Sequence, residues 1–269
     1  MKIYVKPIGA IPDVTNRVVD GFRAHGHQVC VGGPDYRIKE YDLVVFWGHR
    51  KKNLIRDAGK ANIPYLVCEL GYLGDRMTWM SMGYNGLNGR ADFLNENVPP
   101  DRWEKYWADT VKPWREGGDY ALIMGQVPGD AALAHVDINQ FYHDAAIKAK
   151  EQYGKVYFRP HPQVKDMTIS GAANIESSLS EALSEAAVVI TCNSNSGVDA
   201  VMAGIPTVAM DIGSMAWDVT THDISHPPIR PDRSDWGRKL AYCQWLPDEV
   251  QSGLAWEHLK SGVLKCKPH

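Results

Sequence analysis

Nearly continuous apolar runs alternate with helical patterns along this chain, and they do so in two separate series. The runs "YDLVVFWG" (41–48) and "YLVCELG" (65–71) lie in the first series. In the second, "YALIMGQVPGD" (120–130), "KVYFRPHP" (155–162), "VVITCNS" (188–194) and "IPTVAMD" (205–211) each begin apolar and end polar. A strand that is apolar on both sides must be covered on both faces, which is the condition of a central parallel strand. Parallel neighbours need crossovers, and helices supply them. The sequence therefore predicts α/β architecture with open parallel sheets.

Around those runs the first series reads "KIYVKPI" (2–8) as a strand, a helix opened by Pro12 with Val14, Val18, Val19 and Phe22, and "HQVCVGG" (27–33) as a short strand. A helix over Lys52–Ala61 precedes 65–71. Residues 72–118 carry many glycines and asparagines and no clear period, so they read as an irregular ordered loop. Within them, 101–114 is expected to be one helix with Trp103, Tyr106 and Trp107 on a face. The second series adds helices at 138–154, 178–187 and 197–204, and the tail from 235 to 259 reads as helices carrying Trp236, Trp245 and Trp256. The expected division is 1–100, a linker 101–118, a second domain 119–234, and C-terminal helices 235–269 packing back across the domains.

At 269 residues, with 44% hydrophobic and 23% charged residues, the composition is that of an ordinary globular protein. A net charge of −3 leaves only a local patch for any nucleic acid, and "GHRKKN" (48–53) with Arg76 and Arg90 is that patch. It equally suits a solvated face. Cys30, Cys68, Cys192, Cys243 and Cys266 are odd in number and lack CxxC spacing, which predicts reduced thiols. No signal peptide and no membrane span is read, so a cytoplasmic location is expected.

In an open parallel sheet, ligands bind beyond the carboxyl ends of the strands. The unusual polar residues fall in those loops: Gln126–Asp130, Arg159–Gln163, Asn193–Gly197 and Asp211–Ser214. Ser194, Asn195, Ser196 and Gly197 stand where a strand hands over to a helix. That knot either caps the helix or holds an anion at its positive end. Arg159 and His161, fixed between prolines, offer a forked guanidinium and an imidazole to a phosphate.

The stretches "LIMGQVPGDAAL", "YFRPHPQ" and "SLSEALSEAAVVITCNSNSGVDAVMAGIPTVAMD" resemble the donor-binding half of GT-B glycosyltransferases. They are most similar to the capsular polysaccharide and Kdo-transferase group and to related bacteriophage enzymes. The resemblance covers roughly residues 119–220, and the N-terminal half shares only architecture and "CELGYLGDR". It implies two Rossmann-like domains facing a cleft and a nucleotide-sugar donor, a UDP-sugar being favoured. It implies Arg159 and His161 at the diphosphate or sugar, and Ser194, Asn195, Ser196 and Gly197 around phosphate. Asp199 would meet the ribose, with a shorter reach than the usual Glu, and Gln126 and Asp130 would line the first loop.

No metal is expected, since the sequence has no DxD triplet, and Arg, His and helix dipole can stabilise the leaving charge. Glu69, at the end of "YLVCE", is the expected general base, with Asp75 in reserve; an ion pair with Arg76 is its structural alternative. The favoured acceptor is 5-hydroxymethylpyrimidine in phage DNA, held by Arg50, Lys51, Lys52 and Arg76, its base flipped into loop 72–93. A saccharide acceptor, a sugar-nucleotide epimerase and a non-catalytic nucleotide or DNA binder remain the alternatives.

Overall fold

The computed structural model describes residues 1–8, 13–33 and 37–265. The expected helix opening at Pro12 and the thiol of Cys266 lie outside them. In chain order the elements are β1 (Lys2–Val5), α1 (Val14–Ala24), β2 (Gln28–Val31), β3 (Leu43–Trp47), α2 (Lys52–Ala61), β4 (Tyr65–Leu70), β5 (Met80–Tyr84) and α3 (Asp101–Tyr106). They continue with β6 (Tyr120–Met124), α4 (Ile138–Tyr153), β7 (Val156–Arg159), β8 (Ala173–Asn174), α5 (Leu179–Ser184), β9 (Ala186–Thr191), α6 (Ser196–Met202) and β10 (Thr207–Ala209). The last are α7 (Ser234–Ala241), β11 (Gln244–Trp245), α8 (Pro247–Gln251), α9 (Leu254–Leu259) and α10 (Gly262–Lys265). Two compact units result: Met1–Arg102 with Arg238–His269, and Trp103–Gly237.

The first unit holds a six-stranded sheet in the order β11-β5-β4-β3-β1-β2. Strands β2, β1, β3 and β4 run parallel, β5 is antiparallel to β4, and β11 is antiparallel to β5. Alternate residues face opposite layers, as the two-residue strand period requires. Ile3, Val5, Leu43, Val45 and Leu66 pack with Val18, Val19 and Phe22 of α1 and with Trp245, Trp256 and Leu259 of the tail. Tyr4, Val44, Phe46 and Val67 pack with Leu54 and Ala58 of α2. Helix α2 ends where Asn62 takes the left-handed conformation, φ 54°.

Two expectations are corrected here. Within the irregular loop expected at 72–118, Met80–Tyr84 is a fully buried strand paired over its whole length with β4. The helix expected over 101–114 stops at Tyr106, where Trp107 leaves helical geometry at φ −137°, and a short 3₁₀ turn follows. The tail also includes the short strand β11 among its helices.

The second unit's sheet, β10-β9-β6-β7-β8, is parallel throughout. One face packs Ile123, Phe158, Val188 and Ile190 against Tyr142, Ala145 and Ala149 of α4. The other packs Leu122, Met124 and Val189 against Ala182 and Leu183 of α5 and Ala200 of α6. Ser178 and Glu181 form a reciprocal capping box on α5, as Ser-x-x-Glu spacing favours. The tryptophans are mostly core: Trp103 meets Trp236 edge-on within this unit, while Trp245 and Trp256 are buried in the first.

Candidate functional site

In the second sheet β6 crosses to β7 on one side, whereas β9, adjacent to β6 on the other, crosses onward to β10. The reversal lies between β6 and β9, and such a reversal opens a crevice beyond the carboxyl ends. Gln126 leaves β6 and Asn193 leaves β9, and their amides join across the gap. Gln126 Nε2 donates to Asn193 Oδ1 at 2.8 Å, and Asn193 N donates back to Gln126 Oε1 at 3.1 Å. Tyr142 Oη accepts from Gln126 N at 2.7 Å.

The bridge extends to the β10 exit. Asn193 Nδ2 donates to Ala132 O and to Asp211 Oδ1, both at 2.9 Å. Asp211 Oδ1 also accepts from Gly213 N at 2.8 Å, and its Oδ2 lies 2.8 Å from His135 Nε2. Gln126 and Asn193 are 8% and 5% exposed, so the amides are a buried clamp. Gln126, expected to line the donor loop, is occupied in holding strand exits together. Asp130 likewise caps the following turn, accepting from Ala132 N at 2.9 Å.

Gly125 brings the neighbouring exit close. A Cβ there would lie 2.9 Å from both Arg159 O and His161 N, so β6 and β7 leave the sheet in contact. Arg159 is half-buried and donates Nε to Ser177 O at 3.3 Å, and burial lowers its guanidinium from the ordinary value. His161 Nδ1 accepts from Gln163 N at 3.2 Å. In the 194–197 turn, Ser194 Oγ and Ser196 Oγ stand 3.3 Å apart, and Thr191 Oγ1 accepts from Ser194 N. Asn195 is the cap residue of α6 without a side-chain cap bond, and Asp199 lies in that helix's first turn. The four exits thus share one sheet edge, with hydroxyls and a guanidinium among them.

A cavity of about 250 Å³ opens on the α4 face, lined by Val136, Phe141, Ile190, Cys192, Met210 and Ile224 among others. None of Arg159, His161 and Ser194–Gly197 lines it.

In the first unit, Glu69 sits half-buried near the end of β4, opposite Ser81, and its Oε2 accepts from Leu70 N at 3.2 Å. Arg76 directs Nε to Gly71 O at 2.7 Å, within its own loop. Asp75, the reserve base, is a turn cap accepting from Met77 N and Thr78 Oγ1. Arg50, Lys51 and Lys52 are exposed at the start of α2. Tyr72, Leu73 and Trp79–Tyr84 are buried, so much of the loop expected to receive a flipped base is core.

His135 is not among the expected site residues, and Asp211 is expected only as the start of the Asp211–Ser214 loop, without a role of its own. They come from two separate segments and meet only in the fold. The sole sequence signal was an Asp directly after an apolar strand. Among the described residues no three His, Cys, Asp or Glu side chains gather as a metal site would require, and no helix is long and apolar enough to cross a membrane.

No family model matches the chain, and no curated protein matches it. Solved structures do. A KpsC β-Kdo 2,7 transferase from Thermosulfurimonas dismutans is 14% identical, with a TM-score of 0.61 over 96% of this chain and 99% of that one. The KpsC β-Kdo 2,4 transferase of the same organism is 17% identical, with a TM-score of 0.58 over 90% of each chain. A UDP-GlcNAc 2-epimerase from Methanocaldococcus jannaschii, 11% identical over 97% of this chain and 99% of that one, has a TM-score of 0.37, too low to argue from. At such identities the likeness is one of architecture: two mostly parallel Rossmann-like sheets in a GT-B-like α/β fold, shared with Kdo transferases.

Proposed function

We propose that this chain is a glycosyltransferase that moves a sugar from a nucleotide-sugar donor to a saccharide hydroxyl. One observation carries the reading: four polar strand exits converge at the reversal point of a sheet whose fold is shared with two Kdo transferases. The Ser194–Gly197 turn and Asn195 receive the diphosphate, with Arg159 and His161 beside it and Asp199 toward the ribose. A UDP-sugar is the favoured donor.

Departure of the nucleotide leaves negative charge on a phosphate oxygen. Arg159, His161 and turn amides oppose that charge, and this chemistry requires no metal. Glu69 takes the acceptor proton. Glu69→Gln should lower kcat by about two to four orders of magnitude, the usual worth of a general base, while nucleotide affinity holds.

The KpsC likeness supports a saccharide acceptor, whereas no comparison supports 5-hydroxymethylpyrimidine DNA. The test incubates the protein with a panel of nucleotide sugars, UDP-sugars first, and two acceptors: an oligosaccharide set and hydroxymethylated DNA. Mass spectrometry reads the products. Sugar mass on a saccharide supports the reading, and sugar mass on DNA alone returns the acceptor to the base. A donor epimer formed without any acceptor replaces transfer by epimerisation. Binding without turnover leaves a nucleotide-binding protein.

A further inference from the structure

The first sheet has a reversal point of its own. From β1 the chain crosses to β2 on one side, and from β3 to β4 on the other, with β1 and β3 adjacent. The exits flanking this point are Lys6–Pro7 after β1 and Gly48–His49 after β3. Gly48 turns the chain with φ 68°, a conformation glycine adopts without strain. A Cβ on Gly48 would lie 3.3 Å from Glu69 Oε1, so the exit carrying His49 runs directly beside the carboxylate at the next exit.

His49 Nε2 is sealed from solvent and has no hydrogen-bond partner among the described residues. Such an atom is costly to keep, and native structures rarely keep one without a use. The ring itself is only partly buried, 6.4 Å between centroids from Tyr65, and contact with a ligand through this nitrogen would require a change of side-chain rotamer. Burial favours the neutral ring by lowering its pKa. A neutral imidazole has one N–H and one lone pair, and a sugar hydroxyl pairs with either.

We propose that His49 is an acceptor-contacting residue, binding a hydroxyl of the acceptor saccharide beside Glu69 at the β1/β3 reversal. The inference rests on the glycosyltransferase reading and adds where and by what the acceptor is held.

The test uses the whole chain labelled with ¹⁵N-histidine, and methyl β-Kdo glycoside, lactose and maltose as probes without donor. At least one probe should shift the His49 ring nitrogens. His49→Ala should weaken that probe about tenfold, the worth of one hydrogen bond, and His49→Gln should weaken it less because an amide keeps a donor and an acceptor. Amide protection of β1, β3 and β4 should be unchanged in both variants, showing that the first unit, which carries His49, is folded, and UDP affinity should also hold because the donor residues lie in the second unit. The proposal is overturned if no probe shifts the ring, or if His49→Ala binds the shifting probe as tightly as the wild type. Nucleotide-sugar binding that survives either result leaves the donor reading standing by itself.

Discussion

Asn193 hydrogen-bonds to Gln126 and Ala132 of the β6 exit and to Asp211 of the β10 exit. Replacing it with Ala strands the Gln126 amide in a site 8% exposed and removes a donor from Asp211. Leaving buried polar groups unmatched costs about 1–3 kcal/mol each, so Asn193→Ala should destabilise the second unit by roughly 2–4 kcal/mol. The urea midpoint measures it, and an unchanged midpoint would show that the clamp contributes nothing. Gly197 separates binding from folding. A Cβ there meets Thr191 Cγ2 at 3.2 Å, a contact relieved by a small shift, and Ala favours the helix by about 1 kcal/mol over Gly. Gly197→Ala should therefore keep or slightly raise the melting temperature. If phosphate approaches the backbone here, the added methyl should weaken nucleotide affinity about tenfold; calorimetry showing wild-type affinity removes Gly197 from the phosphate site.

At the scale of elements, β3, β4, β6 and β9 are legible because each is a buried apolar run ending in polar residues. Strand β5 is not, although it is equally buried. Its "MSMGY" sits among turn residues, and its glycine reads as irregularity. The fold shows why Gly83 is needed: a Cβ would lie 2.7 Å from Phe93 Cε1 and 2.8 Å from Ala91 Cβ. Strand β11 is two residues whose pairing with β5 spans the chain, which no local pattern encodes. The same distinction divides the site. Ser194–Gly197 and Arg159–His161 follow their own strands and show in the sequence, whereas the His135–Asp211 contact joins remote segments. The tail's place is testable through α10, where a Cβ on Gly262 would collide with the ring of Tyr84, whose Oη donates to Leu259 O at 3.0 Å. Gly262→Ala should cost about 1–3 kcal/mol by overpacking. Leu264→Ala, at a side chain 84% exposed, should stay within about 0.5 kcal/mol. Equal melting temperatures for the two variants would show that α10 does not bear on β5.

Across the whole molecule, the chain leaves its first unit at Arg102 and returns at Arg238. The first unit is closed by long-range contacts between its two segments. Arg102, 6% exposed, meets both carboxylate oxygens of Glu249 at 2.7 and 2.9 Å and donates to Ala241 O and Gln244 O. Histidines on both segments are held toward neutrality. His27 Nε2 accepts from Trp256 Nε1 at 2.8 Å, a bond that protonation would abolish, and burial first, then the amino terminus and His25, lowers its pKa. Burial also lowers His49, and it is the leading cause for His258 on the tail, whose Nε2 lies 2.9 Å from Phe93 O. Each starts from an ordinary value of 6.5, so below that pH the unfolded chain binds protons that the folded first unit refuses. Stability from these groups is complete above about pH 6.5 and is lost as pH falls through the window beneath it, because stability rises with pH wherever the unfolded state holds more protons. Deuterium uptake, corrected for intrinsic exchange, should show β1, β3 and β4 losing protection between about pH 7.5 and pH 5.5. His27→Gln should flatten part of that dependence, since an amide oxygen accepts the Trp256 bond at every pH in the range. Protection in these strands that is the same at both pH values would mean that the three imidazoles titrate in the folded protein as they do in the unfolded chain.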